Sequence, residues 1–461
     1  MHVVGPLVTL LALPAVGVLV WMAARPRTAL YILIALVGLL EVGSLGFVPA
    51  LSLFYVRLPG YLALPDMMLG VITASVLYDV SRGRRELKGL GPFTWPLLLL
   101  TVALMMGLVT GYFNPASDSI ALLNSARVLV FLLVVPFLVV SLVTTERHVI
   151  RFLAVLFGTI VFKALEGVFL VISQRGPVIE GDPASYFEHE GPWLLILGLL
   201  TALAMGLGRH RLPRWALVLV PVAAAAVLLS YRRSMWAATV VGALFVLFAG
   251  LSYRGRMRVA VTTLVVLLMI PLTTGLTDSV GLSQAIERES SNPVLQRAQT
   301  LTPDALAARK EDIYRARERE NVGRELQGSP LLGLGLGVGW REYYALPVEY
   351  EGARIYVHAT PLSLWIKLGI VGLLGNLALI FVGVRTAFRL RRAPHPLIAA
   401  WALGLAGALL GLAVSELSGS HTGSGLRMTI LVAANVGLLA TAARCFGHSQ
   451  DSQRSLSAAT T

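Results

Sequence analysis

Long apolar runs alternate with short polar segments along nearly the whole chain. Most runs contain about 17–25 residues, the length that an α-helix needs to cross the hydrocarbon core of a membrane. Counted in this way, the pattern predicts an all-α polytopic protein with about 12–13 transmembrane helices. We place them at roughly 3–23, 28–48, 64–80, 92–111, 120–143, 148–173, 192–208, 214–230, 235–251, 258–275, 358–384, 396–415 and 425–444.

One segment, residues 276–357, breaks this alternation. A structureless loop of that length is unusual, so we expect it to have its own fold and function. Within it, PDALAARKEDIYRARERENVGRELQG reads as a helix that starts near Pro303 and Asp304 and ends at Gly328. Its mixed charges are typical of a solvated helix face. The predicted organisation is the first ten spans in 1–275, the large extracytoplasmic loop in 276–357, three spans in 358–446 and a cytoplasmic tail in 447–461.

Composition supports a membrane protein and excludes other classes. Hydrophobic residues make up 56% of the chain and charged residues 14%, whereas soluble domains carry about 25% charged residues. The net charge of +13 could indicate nucleic-acid binding, but the basic residues cluster between apolar runs. We therefore expect the lipid bilayer, and no nucleic acid, as a partner. The single cysteine, Cys445, excludes an intrachain disulfide and a cysteine-type zinc site.

The arginines predict which loops face the cytoplasm. Alternate loops carry most of the basic residues, as cytoplasmic loops do under the positive-inside rule. These residues are Arg25, Arg27, Arg82, Arg84, Arg85, Lys88, Arg147, Arg151, Arg209, Arg211, Arg214, Arg254, Arg256, Arg258, Arg385, Arg389, Arg391 and Arg392. The other short loops, which hold Arg57, Arg175, Arg232 and Arg233, are predicted to lie outside together with the N-terminus and residues 276–357. The C-terminus is then cytoplasmic.

Two features of the exterior side have more than one interpretation. Arg232 and Arg233, in SYRRSMW, lie where the charge rule disfavours arginine. They either extend to lipid headgroups or bind an anionic ligand in a bidentate fork. In PLLGLGLGVGW, residues 330–340, the alternate glycines could suggest a phosphate-binding loop, but Gly-Lys-Ser/Thr is missing. A tight connection that returns the loop to the membrane is favoured.

Ionisable residues within the predicted spans form a further set of candidates, because such residues are costly in lipid. They are Glu41, Asp66, Arg127, Lys163, Glu166, Lys367 and Arg427, together with Glu416 directly after the span at 396–415. Lys163 and Glu166 have the spacing of an intrahelical pair. Arg127 has no local partner and could point into a central cavity. His358 lies at the outer end of the span that contains Lys367, which could pair with a buried carboxylate.

Three motifs in this order resemble the O-antigen ligase and O-antigen polymerase superfamily. They are YRRSMW between two spans, IYRARERENVGRELQGSPLLGLGLGVGW in the long loop and VHATPLSLWIKLGIVGLLG at the next span. The motifs cover about residues 214–385. The resemblance implies a GT-C-like, multi-pass glycosyltransferase of the bacterial cytoplasmic membrane with its active site on the periplasmic face. It also implies an undecaprenyl-diphosphate-linked glycan as donor and no metal or other cofactor.

The resemblance also assigns site residues. The family's Ser-Arg-Gly motif falls on Arg233-Ser234, with Arg232 as a neighbour that could substitute for Arg233. Its loop-helix arginine falls on Arg315, with Arg319 as the second choice. Its histidine falls on His358, although Ala359 replaces the asparagine that usually follows.

These residues permit a mechanism. Arginines would stabilise the charge that develops on the diphosphate leaving group. Arg233 and Arg315 are the first candidates, followed by Arg232, Arg127 and Arg319. His358 would be the general base for an acceptor hydroxyl, with Glu318 or Glu416 as an alternative base. In-line attack would invert the anomeric centre.

The acceptor could be a glycan, a lipid or the cell wall, and the oligomeric state is open. A ligase is favoured on the histidine, and a polymerase of the same superfamily is the alternative. A membrane transporter is the competing class, although no internal repeat is evident.

Overall fold

The computed structural model describes residues 17–40, 54–55, 62–172, 190–208, 214–228, 230, 232–251, 310–347 and 353–459. Within these ranges the chain is all-α, with one isolated β-bridge between Ser117 and Val338. The helices are α1 (Gly17–Ala24), α2 (Pro26–Leu39), α3 (Leu64–Ser81), α4 (Thr94–Phe113), α5 (Ser119–Leu142), α6 (Glu146–Ile172), α7 (Glu190–Leu207), α8 (Arg214–Leu228), α9 (Arg233–Gly250), α10 (Lys310–Gly328), α11 (Thr360–Leu390), α12 (Pro396–Ser415) and α13 (Leu426–Ala459).

Eight helices of the described part are long and apolar enough to cross a membrane, or nine if the bent pair α1–α2 is one span. The all-α polytopic class predicted from the sequence is therefore confirmed. The predicted span at 258–275 and most of that at 3–23 lie outside the described residues, so the count of 12–13 stays a prediction. Helix α8 has 15 residues within the described range, and positions 213 and 229 beside it lie outside that range.

Helices α12 and α13 are the most deeply buried of the eight candidate spans, and α12 packs against α7 and α9. Helix α12 is apolar on all sides, as expected of a buried helix, and Trp401 on it and Trp193 on α7 are fully buried. Small residues allow close approach, as is common between membrane helices. A Cβ atom at Gly411 would lie 2.4 Å from the carbonyl oxygen of Ala238 on α9.

Basic side chains gather at one end of the bundle, which we call the basic end. Arg27 Nε donates to the carbonyl oxygen of Leu142, and Arg85 donates to that of Ser141, each at 2.8 Å. Both acceptors lie in the last turn of α5, where carbonyl groups lack helical partners. Loops that the charge pattern assigned to one side thus meet at one end.

The glycine-rich segment lies at the other end, between α4 and α11. The Leu336 N–H donates to the Gly107 carbonyl of α4 at 2.9 Å, and the Leu334 N–H donates to the Ile366 carbonyl of α11 at 2.6 Å. Helix α11 is broken at Gly369, where φ is +70°. The N–H of Ile370, released by this break, donates to the Leu331 carbonyl at 3.1 Å. The segment is the expected tight connection.

Helix α10, the loop helix, ends at Gly328 as the sequence predicted; its predicted start at 303–304 lies outside the described residues. Val322 and Leu326 pack in a small separate core that joins α10 to the beginning of α11. The other members of this core are Trp340, Val357 and Ile366. This contact positions the polar face of α10 over the residues that precede α11.

Candidate functional site

His358 and Glu318 form a closely joined pair between the loop helix and α11. Glu318 Oε2 accepts the backbone N–H of His358 at 2.8 Å, and Oε1 lies 3.0 Å from the ring Nδ1. The Glu318 side chain is 1% exposed and that of His358 is 30% exposed. When Nδ1 carries the proton and donates it to Glu318, the other ring nitrogen, Nε2, is an acceptor.

Two tyrosines hold the imidazole from the sides. Tyr314, one turn before Glu318 on α10, makes an edge contact with the His358 ring at 5.6 Å, and Tyr356 does so at 5.0 Å. Burial, followed by the charge of Glu190, raises the pKa of Tyr356 to about 12. Its hydroxyl therefore stays protonated, and it donates to the Ser420 carbonyl at 3.2 Å.

Two arginines from separate motifs meet at Asp312. Arg233, the first residue of α9, donates from Nη2 to both Asp312 oxygens at 3.0 and 2.9 Å. Arg315 lies 4.0 Å from the same carboxylate. Two guanidinium groups thus share one aspartate, and the cluster keeps a net positive charge. Asp312 was not among the residues selected from the sequence.

The loop between α12 and α13 contributes residues that the sequence analysis missed. His421 is 2% exposed. Burial, with the positive charge of Arg232 second, lowers its pKa to about 4, so it is neutral at physiological pH. Its backbone N–H donates to Thr360 Oγ1 at 2.8 Å, which attaches the loop to the start of α11. A histidine within the small-residue run SGSHTGSG is the signal that could have drawn attention to it.

Glu416, predicted as an alternative base, is buried at the end of α12. The Thr422 N–H donates to its Oε1 at 3.1 Å, and its own carbonyl accepts the Thr360 N–H at 3.0 Å. Burial raises the pKa of Glu416 to about 7. These two hydrogen bonds connect the loop to α11, whereas Glu318 contacts the histidine ring directly.

The remaining predicted residues form no hydrogen bond with His358 in the described part of the chain. Arg127, for which the sequence offered no local partner, forms a salt bridge with the distant Asp66 of α3 at 2.5 Å. Arg319 is exposed, and its Nε donates to the Arg315 carbonyl at 3.1 Å. Lys163 and Glu166 pair at 2.7 Å as expected. Lys367 forms no salt bridge with any residue in the described ranges.

Among the residues that the structure describes, no group of three or more His, Cys, Asp and Glu side chains has an arrangement that could hold a metal ion. The positive groups of the site are side chains of arginine. They come from α9 and α10, which lie before and after residues 252–309 in the sequence.

Residues 217–377 match the family model described as O-antigen ligase. No curated protein matches the chain. The matched range includes Arg232, Arg233, the whole of α10 and His358, which are the elements that build the site. The match over these residues confirms the resemblance drawn from the motifs: this part of the chain is similar to the O-antigen ligase family.

Proposed function

We propose that this protein transfers a glycan from undecaprenyl diphosphate to an acceptor hydroxyl at the exterior face of the cytoplasmic membrane. The O-antigen ligase family supports ligase or polymerase chemistry in general terms. The observation that carries the specific proposal is the pair of His358 and Glu318 beside the arginine cluster of Arg233 and Arg315.

His358 acts as the general base in this proposal. Glu318 orients the ring through Nδ1, and Nε2 takes the proton from the acceptor hydroxyl as its oxygen attacks the anomeric carbon. The bond between that carbon and the diphosphate oxygen breaks, and the lipid diphosphate leaves with the electron pair. In-line attack inverts the anomeric centre. Glu318 has the supporting role that an orienting carboxylate has in other histidine-based sites.

The arginines stabilise the leaving group. A diphosphate gains negative charge as the glycosidic bond breaks, and positioned guanidinium groups favour that charge without a metal or nucleotide cofactor. Arg233 and Arg315 are proposed as the primary contacts and Arg232 as a third. Asp312 holds Arg233 in place before the donor binds. Arg127, which pairs with Asp66 at the α3–α5 contact, is proposed as a further contact of the diphosphate.

The decisive experiment supplies purified protein in nanodiscs with an undecaprenyl-diphosphate glycan and candidate lipid, wall and glycan acceptors. The covalent product is then identified. Transfer of a finished glycan to an acceptor supports a ligase, and stepwise chain growth supports the polymerase alternative. Movement of the intact lipid-linked glycan across proteoliposomes, with no transfer, would overturn the proposal in favour of a transporter.

Two variants connect this assay to the site. His358→Gln is expected to lower the transfer rate by about 10²–10⁴-fold, the usual contribution of a general base. His395→Gln is the matched control, because His395 precedes α12 at the basic end of the bundle. Transfer by a folded His358→Gln protein at the wild-type rate would remove His358 from the role of base.

A further inference from the structure

A polar cleft, separate from the candidate site, lies on the face of α10 that points away from His358. It has a volume of about 620 Å³ and is lined by Arg317, Arg319, Glu320, Gly323, Arg324, Gln327 and Tyr344. Positions 317, 320, 324 and 327 recur at helical spacing and share one face of the helix. Tyr314 and Glu318, which contact the imidazole, lie on the other face. The site described above does not use this cleft.

The cleft has excess positive charge. It contains three arginines and one glutamate, and Glu320 pairs with Arg317 at 2.7 Å. Arg319 and Arg324 form no salt bridge with a carboxylate in the described part of the chain. Two exposed guanidinium groups therefore face solvent. Arg319 Nε donates to the Arg315 carbonyl and Arg324 Nη1 to the Tyr344 hydroxyl, and the other donors of both groups are available to an anion.

Tyrosine rings provide the other side of the cleft. The Arg324 guanidinium lies over the Tyr343 ring at 5.1 Å and the Tyr344 ring at 5.8 Å, and it donates to the Tyr344 hydroxyl at 3.2 Å. Arg317 lies 5.8 Å from the centre of the Tyr344 ring. Stacking on an aromatic ring keeps the planar guanidinium group oriented, and the edge of the guanidinium stays free for hydrogen bonds.

A buried asparagine holds this arrangement in place. Asn321 is fully buried, and its Oδ1 accepts the backbone N–H groups of Tyr343 and Tyr344 at 2.8 and 2.7 Å. Its Nδ2 donates to the Tyr344 carbonyl at 3.0 Å. Three hydrogen bonds from one side chain attach the tyrosine segment to α10. The cleft is thus built before any ligand binds.

Arg319 connects the cleft to the candidate active site. It lines the cleft, and it also follows Arg315 by one helical turn and donates to its carbonyl. From Arg315 to Arg324 the helix rises by about 14 Å. A saccharide chain attached to a diphosphate near Arg233 and Arg315 could follow this line of arginines along α10.

We infer that the cleft is a binding site for an acidic saccharide, one that carries carboxylate or phosphate substituents. Its anionic groups would bind Arg319 and Arg324, and a sugar ring would pack on Tyr344. Guanidinium groups suit both kinds of anion because they form paired hydrogen bonds. The assignment of the ligand as a saccharide rests on the proposed function, whereas the preference for an anion rests on the cleft itself.

The test measures binding without catalysis. Full-length protein in nanodiscs of zwitterionic lipid is titrated with an oligogalacturonate and, separately, with a neutral malto-oligosaccharide of the same length. We expect saturable binding of the acidic probe and none of the neutral one. The double variant Arg319→Gln/Arg324→Gln should weaken binding by about tenfold or more, since two charge-assisted contacts are lost. Arg341→Gln, a variant of an arginine that is 81% exposed outside the cleft, should bind as the wild type does.

Two outcomes would overturn this inference. Equal binding by the double variant and the wild type would remove the cleft as the site. Binding of vesicles that contain anionic phospholipid, lost in the double variant while the acidic oligosaccharide does not bind, would assign the cleft to lipid headgroups. His358→Gln should retain full binding, so failure of the proposed transfer chemistry is distinguishable from failure of the cleft.

Discussion

Glu318 contacts His358 twice, through the backbone N–H at 2.8 Å and the ring Nδ1 at 3.0 Å. The first contact sets the position of the residue, and the second sets the orientation of its ring. A nearly fully buried carboxylate on the loop helix thereby determines the position and orientation of a partly exposed histidine just before the first residue of α11. Removal of the carboxylate should therefore affect the reaction through the histidine.

Glu318→Gln is expected to lower kcat by about 10²-fold or more with a smaller effect on KM, because the orientation of the proposed base is lost. A double variant with His358→Gln should be no slower than His358→Gln alone. Such non-additivity is typical of residues that act as one unit. Additive losses in the transfer assay would show that Glu318 acts separately from the histidine.

Arg233→Lys tests the contact between Arg233 of α9 and Asp312 of the loop helix. Arg233 contacts Asp312 through Nη2 alone, and lysine keeps the charge but has no second nitrogen that could bind a diphosphate oxygen at the same time. We expect transfer at saturating acceptor to fall by about tenfold, which corresponds to the loss of one charge-assisted hydrogen bond. Arg341→Lys is the matched control on the exposed side of the loop. An unchanged rate for Arg233→Lys would show that only the positive charge at position 233 matters, and not the hydrogen bonds of the guanidinium.

Gly369→Ala tests the break in α11. A Cβ atom there would lie 2.1 Å from the Leu331 carbonyl oxygen, and φ is +70°. We expect a loss of about 1–3 kcal/mol in the free energy of unfolding, measured as a lower thermal midpoint in detergent. Gly158→Ala on α6 is the control, since a Cβ atom there meets nothing within 4 Å. A Gly369→Ala protein as stable as the control would show that the glycine segment does not need this break.

Glu416 makes stability depend on pH. Its pKa is raised to about 7 from 4.5, so between these values the folded protein binds more protons than the unfolded chain. The stabilisation, roughly 3 kcal/mol, is complete below the unfolded pKa and is lost as the pH rises through 7. Glu416→Gln imitates the protonated form. The thermal midpoint of the variant minus that of the wild type should therefore increase as the pH rises from about 5 to about 8.

The same variant separates the two candidate bases. If His358 is the base, Glu416→Gln keeps most of the transfer activity at neutral pH. A loss as large as that of His358→Gln, in a protein of normal stability, would assign the proton to Glu416 instead. The thermal midpoints of the variant and the wild type, compared at each pH, show whether the stability of the variant is normal.

The local pattern of apolar residues determined the helices. The run 396–415 coincides with α12, and the end of the loop helix at Gly328 follows from a residue that suits a helix stop. Hydropathy and capping act over one or two turns, so they can be read from neighbouring residues. The motif order likewise selected Arg233, Arg315 and His358.

Only the tertiary structure decided which of these residues meet. Asp66 joins Arg127 across 61 positions, and Asp312 joins Arg233 across 79. His421 and Glu416 reach the site because α12 and α13 pack against α11 and their connecting loop covers the start of that helix. Such pairings depend on the path of the loop and on helix packing, which no local pattern encodes. Sequence alone determined the helices and the candidate groups, and the fold determined their partners.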